Sequence, residues 1–274
     1  LWKQFFWGTA RDWRLLRYLD GFGKIEDLAG SNASDKRWVK GHGIEPNTSG
    51  NARNPKVPWW TEDYRFVDSN EKALKSGYLL RIEDAPCVGT KFKSLRRSTE
   101  NTVIFKAPLV LASGGFNKVV FSDFDVLFQH SLRAIHGPQE DEALLLFLTA
   151  YLQSNLAKYY CFHTSSKLGI ERDVVRFEEL LRLPFPLPAD SPAENAQAIV
   201  DDIAAALRKE KAALEKLADK FRDTPSAPEW LALREPADRT ARDPAMLEAA
   251  AQLAVGGPVV DLGAGTGSTL RALE

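Results

Sequence analysis

A chain of 274 residues has room for one large or two modest domains, each able to bury a core. Its 44% hydrophobic and 27% charged residues are ordinary for a globular protein. No apolar run reaches the roughly 18 residues of a membrane span, no signal peptide opens the chain, and Cys87 and Cys161 are too few for a disulfide scaffold or a zinc site, so the cytoplasm is expected. The net charge of −1 hides an asymmetry: residues 1–122 hold 20 Lys and Arg against 13 Asp and Glu, and residues 123–274 hold 16 against 24. A basic half beside an acidic half suits a polyanion-binding face as well as it suits chance clustering on solvated surfaces.

The opening "LWKQFFWGTARDWRLLRYLDGF" begins with the aromatics Trp2, Phe5, Phe6 and Trp7 and continues as a helix. Asp12 is placed to cap it, and Leu16, Leu19, Trp13 and Leu15 supply an apolar side. The aromatic cluster, like Trp59 and Trp60, is expected to pack in a core or between domains rather than to stack on bases. Residues 30–63 are dense in Gly, Asn, Ser and Pro and read as a long functional or mobile loop. From 64 to 126 short strands are expected at "GYLLRI", "NTVIF", "APLVLASG" and "KVVFSDFDVLF".

Helices follow. "DEALLLFLTAYLQSNLAKYYCFHT" (141–164) reads as one core helix, and "RDVVRFEELLRLPFPLP" (172–188) as a helix with a proline-terminated exit. The stretch 191–221 is the clearest helix. Ser191 should cap it, with Pro192 in the first turn and Glu194 completing a capping box. Ile199, Ile203, Leu207, Leu214, Leu217 and Phe221 share one side, which can pack on its own domain or on a partner helix. "RDTPSAPEW" then reads as a linker, and residues 231–274 as the α-β-α start of a nucleotide-binding fold. The expected class is α+β, divided into a mixed domain over 1–190, an amphipathic helix over 191–222, a linker over 223–230 and a truncated Rossmann-like start over 231–274.

Three segments offer polar chemistry. "TKFKSLRRSTEN" (90–101) carries Lys91, Lys93, Arg96 and Arg97 with no acid before Glu100, the best candidate for phosphate contacts. "SGGFNK" (113–118) sets Asn117 and Lys118 on a turn, and "HTSSKLGIER" (163–172) sets hydroxyls, Lys167 and Arg172 on a loop. Each suits DNA backbone or base edges, and each is equally ordinary turn chemistry. His42, His130, His136 and His163 are scattered without metal-ligand spacing, and Asp123 and Asp125 have no base or nucleophile nearby in sequence.

At the far end, "PVVDLGAGTGSTLRALE" places Gly263, Gly265 and Gly267 after a buried strand ending at Asp261. This D-x-G-x-G-x-G resembles the first motif of class I S-adenosylmethionine-dependent methyltransferases. The resemblance, over about 45 residues, puts the glycines at the cofactor's methionine and ribose side and Asp261 near its amino end. The ribose-binding acid expected some 20 residues later lies beyond Glu274, so weak or absent cofactor binding is expected of these residues alone.

Residues 1–222 carry a second resemblance. "LWKQFFWGTARDWRLLRYL", "FKAPLVLASGG", "LTAYLQSNLAKYYCFHTSSKLGIERDVVRFEELLRLPFPLP" and the helix after them are similar, in order and spacing, to the C-terminal target-recognition region of adenine-N6 DNA methylases of restriction-modification and phage-defence systems. That implies double-stranded DNA as partner, no membrane, and a catalytic methylase domain upstream. The family's [ND]-P-P-[YFW] loop, which holds the flipped adenine, does not occur in the sequence. The chain therefore reads as a piece cut at both ends, its two resemblances joined near 222–228. A small-molecule methyltransferase fragment and a non-catalytic helical interaction module are the alternatives.

Overall fold

The computed structural model describes residues 2–32, 34–47, 64–69, 74, 77–87, 94–97, 101–114, 119–170 and 174–222, with the backbone alone at 47, 94–97 and 217–222. The chain divides into two units, Leu1–Lys211 and Ala212–Glu274. Everything below belongs to the first, apart from the end of the last helix. The expected linker and Rossmann-like start lie outside the described residues.

The first unit is α+β. Its centre is a five-stranded mixed sheet in the order β1 (Ala29–Gly30), β2 (Trp38–His42), β9 (Arg133–His136), β6 (Leu109–Ala112) and β7 (Val119–Ser122). Only β1 and β2 run parallel; the other pairs are antiparallel. Two-stranded ribbons join β3 (Glu45–Asn47) to β5 (Ser94–Arg97) and β4 (Phe66–Val67) to β8 (Leu127–Phe128).

The runs "LVLA" and "VVFS" look continuously apolar because the sheet is covered on both faces. Side chains alternate strictly. Trp38, Val110, Ala112, Val119, Phe121 and Ile135 enter one core, while Val39, Leu109, Leu111, Val120 and Ala134 enter the other. The first core is closed by helices: α2 (Ala10–Asp20), α3 (Ile25–Leu28), α4 (Glu142–Gln153), α5 (Asn155–Thr164), α6 (Phe177–Leu181) and α7 (Ala196–Arg222). The second is closed by loops and short strands bearing Ile44, Val67, Leu80, Phe105 and Phe128.

Several local readings need correction. Thr9, not Asp12, caps α2. Its hydroxyl accepts from the Asp12 N–H at 3.4 Å while the Asp12 carboxylate accepts from the Thr9 N–H at 2.6 Å, so Asp12 is the reciprocal member of the capping box. "NTVIF" is a 3-10 turn over Thr102–Phe105 that folds Ile104 and Phe105 into the second core. "GYLLRI" makes only an isolated bridge at Leu79 before a second such turn. The core helix of 141–164 is two helices. Ser154 leaves the helical conformation and its hydroxyl accepts from the Ala157 N–H at 3.2 Å, restarting the chain as α5.

In 172–188 the helix is only Phe177–Leu181, and the proline-rich exit pairs with earlier chain through Phe185 N–H to the Gly23 carbonyl at 2.6 Å. Helix α7 begins at Ala196, past the expected Ser191–Glu194 capping box. Its buried side is Val200, Ala204 and Leu207, with Ile203 partly covered and Ile199 exposed. That face packs on its own domain.

One buried carboxylate ties the sheet to the helices. Asp141, 2% exposed and just before α4, accepts from Arg37 Nε at 2.6 Å and from the Trp38 indole N–H at 2.8 Å, and pairs with the second arm of Arg37. Among the described residues no helix is long and apolar enough to cross a membrane.

Replacing Asp141 strands the buried Trp38 donor, so Asp141→Ala is expected to lower the unfolding free energy by about 2–3 kcal/mol in urea titration. The two thiols should also differ. Burial pushes Cys161 up to about 12, with Glu179 adding to the shift and Lys3 opposing it, whereas Cys87 is exposed. Ellman's reagent at neutral pH should therefore titrate one thiol in the folded protein and two in denaturant.

Candidate nucleic-acid interface

The basic run "TKFKSLRRSTEN" is brought into a defined setting. Its centre, Ser94–Arg97, is β5, paired antiparallel with β3 as a ribbon separate from the packed sheet. Glu45 faces Arg97, Pro46 faces Leu95 and Asn47 faces Ser94. Arg96 is thus the extra residue of a β-bulge, a feature that twists a strand and re-aims what it carries. Proline at a register position and a short strand suit an edge ribbon that recruits no further strand. Lys91 and Lys93 lie outside the described residues, and of Arg96 and Arg97 the backbone alone is described.

The other two candidate segments are joined. The Val175 N–H donates to the Gly114 carbonyl at 2.7 Å, and Arg133 donates to the Val175 carbonyl at 2.8 Å. This ties the start of "SGGFNK" to the chain just after Arg172. Asn117, Lys118 and Arg172 themselves lie outside the described residues.

Around this junction the structure assembles a cluster that spacing concealed. His42 and His130 stack with centroids 5.3 Å apart and planes 18° apart. Phe177 meets His42 edge-on at 5.5 Å, and the Arg133 guanidinium lies 5.6 Å from the centre of the Phe177 ring. The two histidines are 88 residues apart but meet because Gly43 brings the end of β2 against the 128–130 turn. A Cβ at Gly43 would sit 2.1 Å from the Phe128 carbonyl oxygen. The Ile44 N–H donates to that same oxygen at 2.9 Å. A pairing visible only across this contact leaves no signal in local sequence.

The loop after α5 is pinned from both sides. Lys3, 1% exposed, donates its ammonium to the Leu168 carbonyl at 2.6 Å and lies 5.5 Å from the centre of the Phe162 ring. Glu179 accepts from the Ser166 N–H at 2.8 Å and from the Arg176 N–H at 3.0 Å. Gly169 makes the bend at φ 78°, a conformation that favours glycine. Of the hydroxyls expected to face DNA, Ser165 is buried and Thr164 is turned to the Tyr160 carbonyl at 2.8 Å; Ser166 is exposed and Lys167 half-buried.

Helix α1 (Trp2–Trp7) reverses expectation. Trp2, Phe5, Phe6 and Trp7 are exposed, Phe6 at 77%, and the buried member of the stretch is Lys3. The long aliphatic stem of Lys3 is buried while its terminal ammonium donates to the Leu168 carbonyl. The aspartates 123 and 125 also have partners: Asp123 pairs with Lys211, and Asp125 accepts from Lys106 at 2.6 Å.

Burial holds the His163 imidazole below its ordinary value against the opposing pull of Asp12, with Lys3 adding to the lowering. Partial burial lowers His42 too, reinforced by the neighbouring His130 and Arg133. Both groups take up a proton in the unfolded chain before the folded one. Stability is therefore greatest above about pH 6.5 and drains as pH falls below it. The melting temperature should drop between pH 7.5 and 5, and His163→Gln should shrink that drop in a thermal melt followed by circular dichroism.

No protein-family model matches the chain, and no curated protein matches it. Among solved structures, a chain from work on complex assembly and conformational transition of the type I R-M system aligns at 17% identity and a TM-score of 0.33, over 68% of this chain and 41% of that one. The HsdS subunit from Thermoanaerobacter tengcongensis aligns at 15% identity and a TM-score of 0.30, over 76% of this chain and 46% of that one. The chain spans less than half the length of either.

Proposed function

We propose that residues 1–222 act as the DNA target-recognition part of an adenine-N6 DNA methylase of a restriction-modification or related defence system. The observation that carries this reading is the β3–β5 ribbon. It sets the most basic run of the sequence on a two-stranded element outside the packed sheet, with Arg96 at a bulge. The major groove, about 12 Å wide, admits a ribbon of this kind. The ordered resemblance of "LTAYLQSNLAKYYCFHTSSKLGIERDVVRFEELLRLPFPLP" supports the same assignment.

On this reading Lys91, Lys93, Arg96 and Arg97 supply phosphate contacts. On the same reading Asn117, Lys118, Lys167 and Arg172 supply further polar contacts, from two segments near the Gly114–Val175 hydrogen bond in sequence. Recognition, not methyl transfer, is the task assigned to these residues, and a methylase subunit or domain would supply the reaction. Asp261, Gly263, Gly265 and Gly267 are assigned to S-adenosylmethionine by their motif alone. Their chemistry would be to hold the cofactor's amino end and to let its methionine and ribose approach the backbone.

Fluorescence anisotropy with a labelled 30-base-pair duplex tests the reading. Affinity should fall linearly on a log–log plot as salt rises, and Arg96→Ala/Arg97→Ala should reduce the slope by about 2. A chain that shows no salt-dependent binding to duplex DNA would refute it.

A further inference from the structure

Helix α2 carries a second feature that the basic run does not explain. Arg11, Arg14 and Arg17 recur every three residues and are all exposed. Over two turns they span about 9 Å along the helix axis. On a solvated helix such arginines ordinarily pair with acids three or four positions away. Here both acids of the helix are withdrawn. Asp12 is engaged by Thr9 and by the Tyr159 hydroxyl, and Asp20 accepts from the Tyr160 hydroxyl at 2.6 Å.

These bonds point the carboxylates at α5, on the side where Leu16 and Leu19 enter the core. The Tyr159 hydroxyl, with Thr9, holds Asp12 down at about 2, so it stays ionised and occupied across the working range. The three arginines form no ion pair or hydrogen bond among the described residues. Trp13 and Ala10 join Arg14 and Arg17 in lining a shallow hollow of about 580 Å3. A helix whose acids are occupied by hydroxyls of Thr9 and α5 and whose arginines are exposed without a partner among the described residues presents a cationic stripe.

We propose that Arg11, Arg14 and Arg17 of α2 form a phosphate-binding stripe that tracks the backbone of duplex DNA. This inference rests on the DNA-binding reading above and adds a surface that none of its residues includes. Charge complementarity selects the occupant: a regular polyanion repays three unpaired guanidinium groups whose neighbouring carboxylates are already committed. The contacts are to phosphate and carry no base specificity, so they position the chain on the duplex whatever its sequence.

The test uses the full chain, a labelled 30-base-pair duplex of arbitrary sequence and anisotropy titrations over a salt series. Arg11→Ala/Arg14→Ala/Arg17→Ala should lower the slope of log affinity against log salt by about 2.7, so that the loss of affinity grows as salt falls. The matching triple lysine variant should restore most of the slope, because a phosphate contact needs a point charge more than a planar fork. Arg14→Ala alone should lower the slope by about 0.9 and serves if the triple variant melts early. A triple alanine variant that is folded and keeps the wild-type slope overturns the stripe and leaves the DNA-binding reading standing. Wild-type protein without salt-dependent DNA binding overturns both, and the stripe would then belong to an acidic protein surface.

Discussion

The buried carboxylate of Asp141 joins the two layers of the domain. It lies at the entry to α4, and it accepts from Trp38, the first residue of β2, and from Arg37 just before it. Burying a charge is costly unless donors surround it, and here a guanidinium fork and an indole N–H do so. Once that corner is made, Trp38 is directed into the helical side of the sheet, where Phe185 meets it at 5.9 Å. Phe147 and Tyr151 of α4 pack on the same Phe185 ring at 5.8 Å each. The proline-rich exit, α4 and β2 thus converge on one aromatic centre.

A sheet covered on both faces leaves little freedom for its strands, so polar chemistry is displaced to the edges and to the loops between elements. There the chain uses charged side chains as ties. Lys3 holds the loop after α5, Glu179 holds it from the other side, and Arg133 holds the segment that leads into α6. Each tie places a charged group where it satisfies backbone that has no ladder partner. The described parts of the segments proposed to contact DNA are held by such bonds.

The same logic separates the two kinds of charge on α2. Tyrosines of α5 reach across to Asp12 and Asp20, so the helix is docked by its acids and left cationic toward solvent. Net charge near zero for the whole chain says nothing of this, because it sums groups that are tied down with groups that are free to meet a partner.

Periodicity and composition alone determined the α+β class, the sheet strands at 109–112 and 119–122, the long helix near 196–222 and the run of basic residues at 91–97. These features are local: a strand buried on both faces is continuously apolar, and a helix repeats every three to four residues. Tertiary structure decided the rest. Whether "NTVIF" extends or coils depends on the second core waiting for Ile104 and Phe105. Which side of α7 is buried, Val200, Ala204 and Leu207 rather than Ile199, is set by the core it packs on. That Lys3 is buried while four aromatics around it are exposed depends on a carbonyl 165 positions away. The stacking of His42 on His130, the joining of Gly114 to Val175 and the engagement of the α2 acids by the tyrosines of α5 are likewise contacts between distant segments. A linear pattern records what a residue is and what stands three or four places from it, while pairing across the fold is set by shape and by unmet hydrogen-bonding groups that only the packed chain brings together.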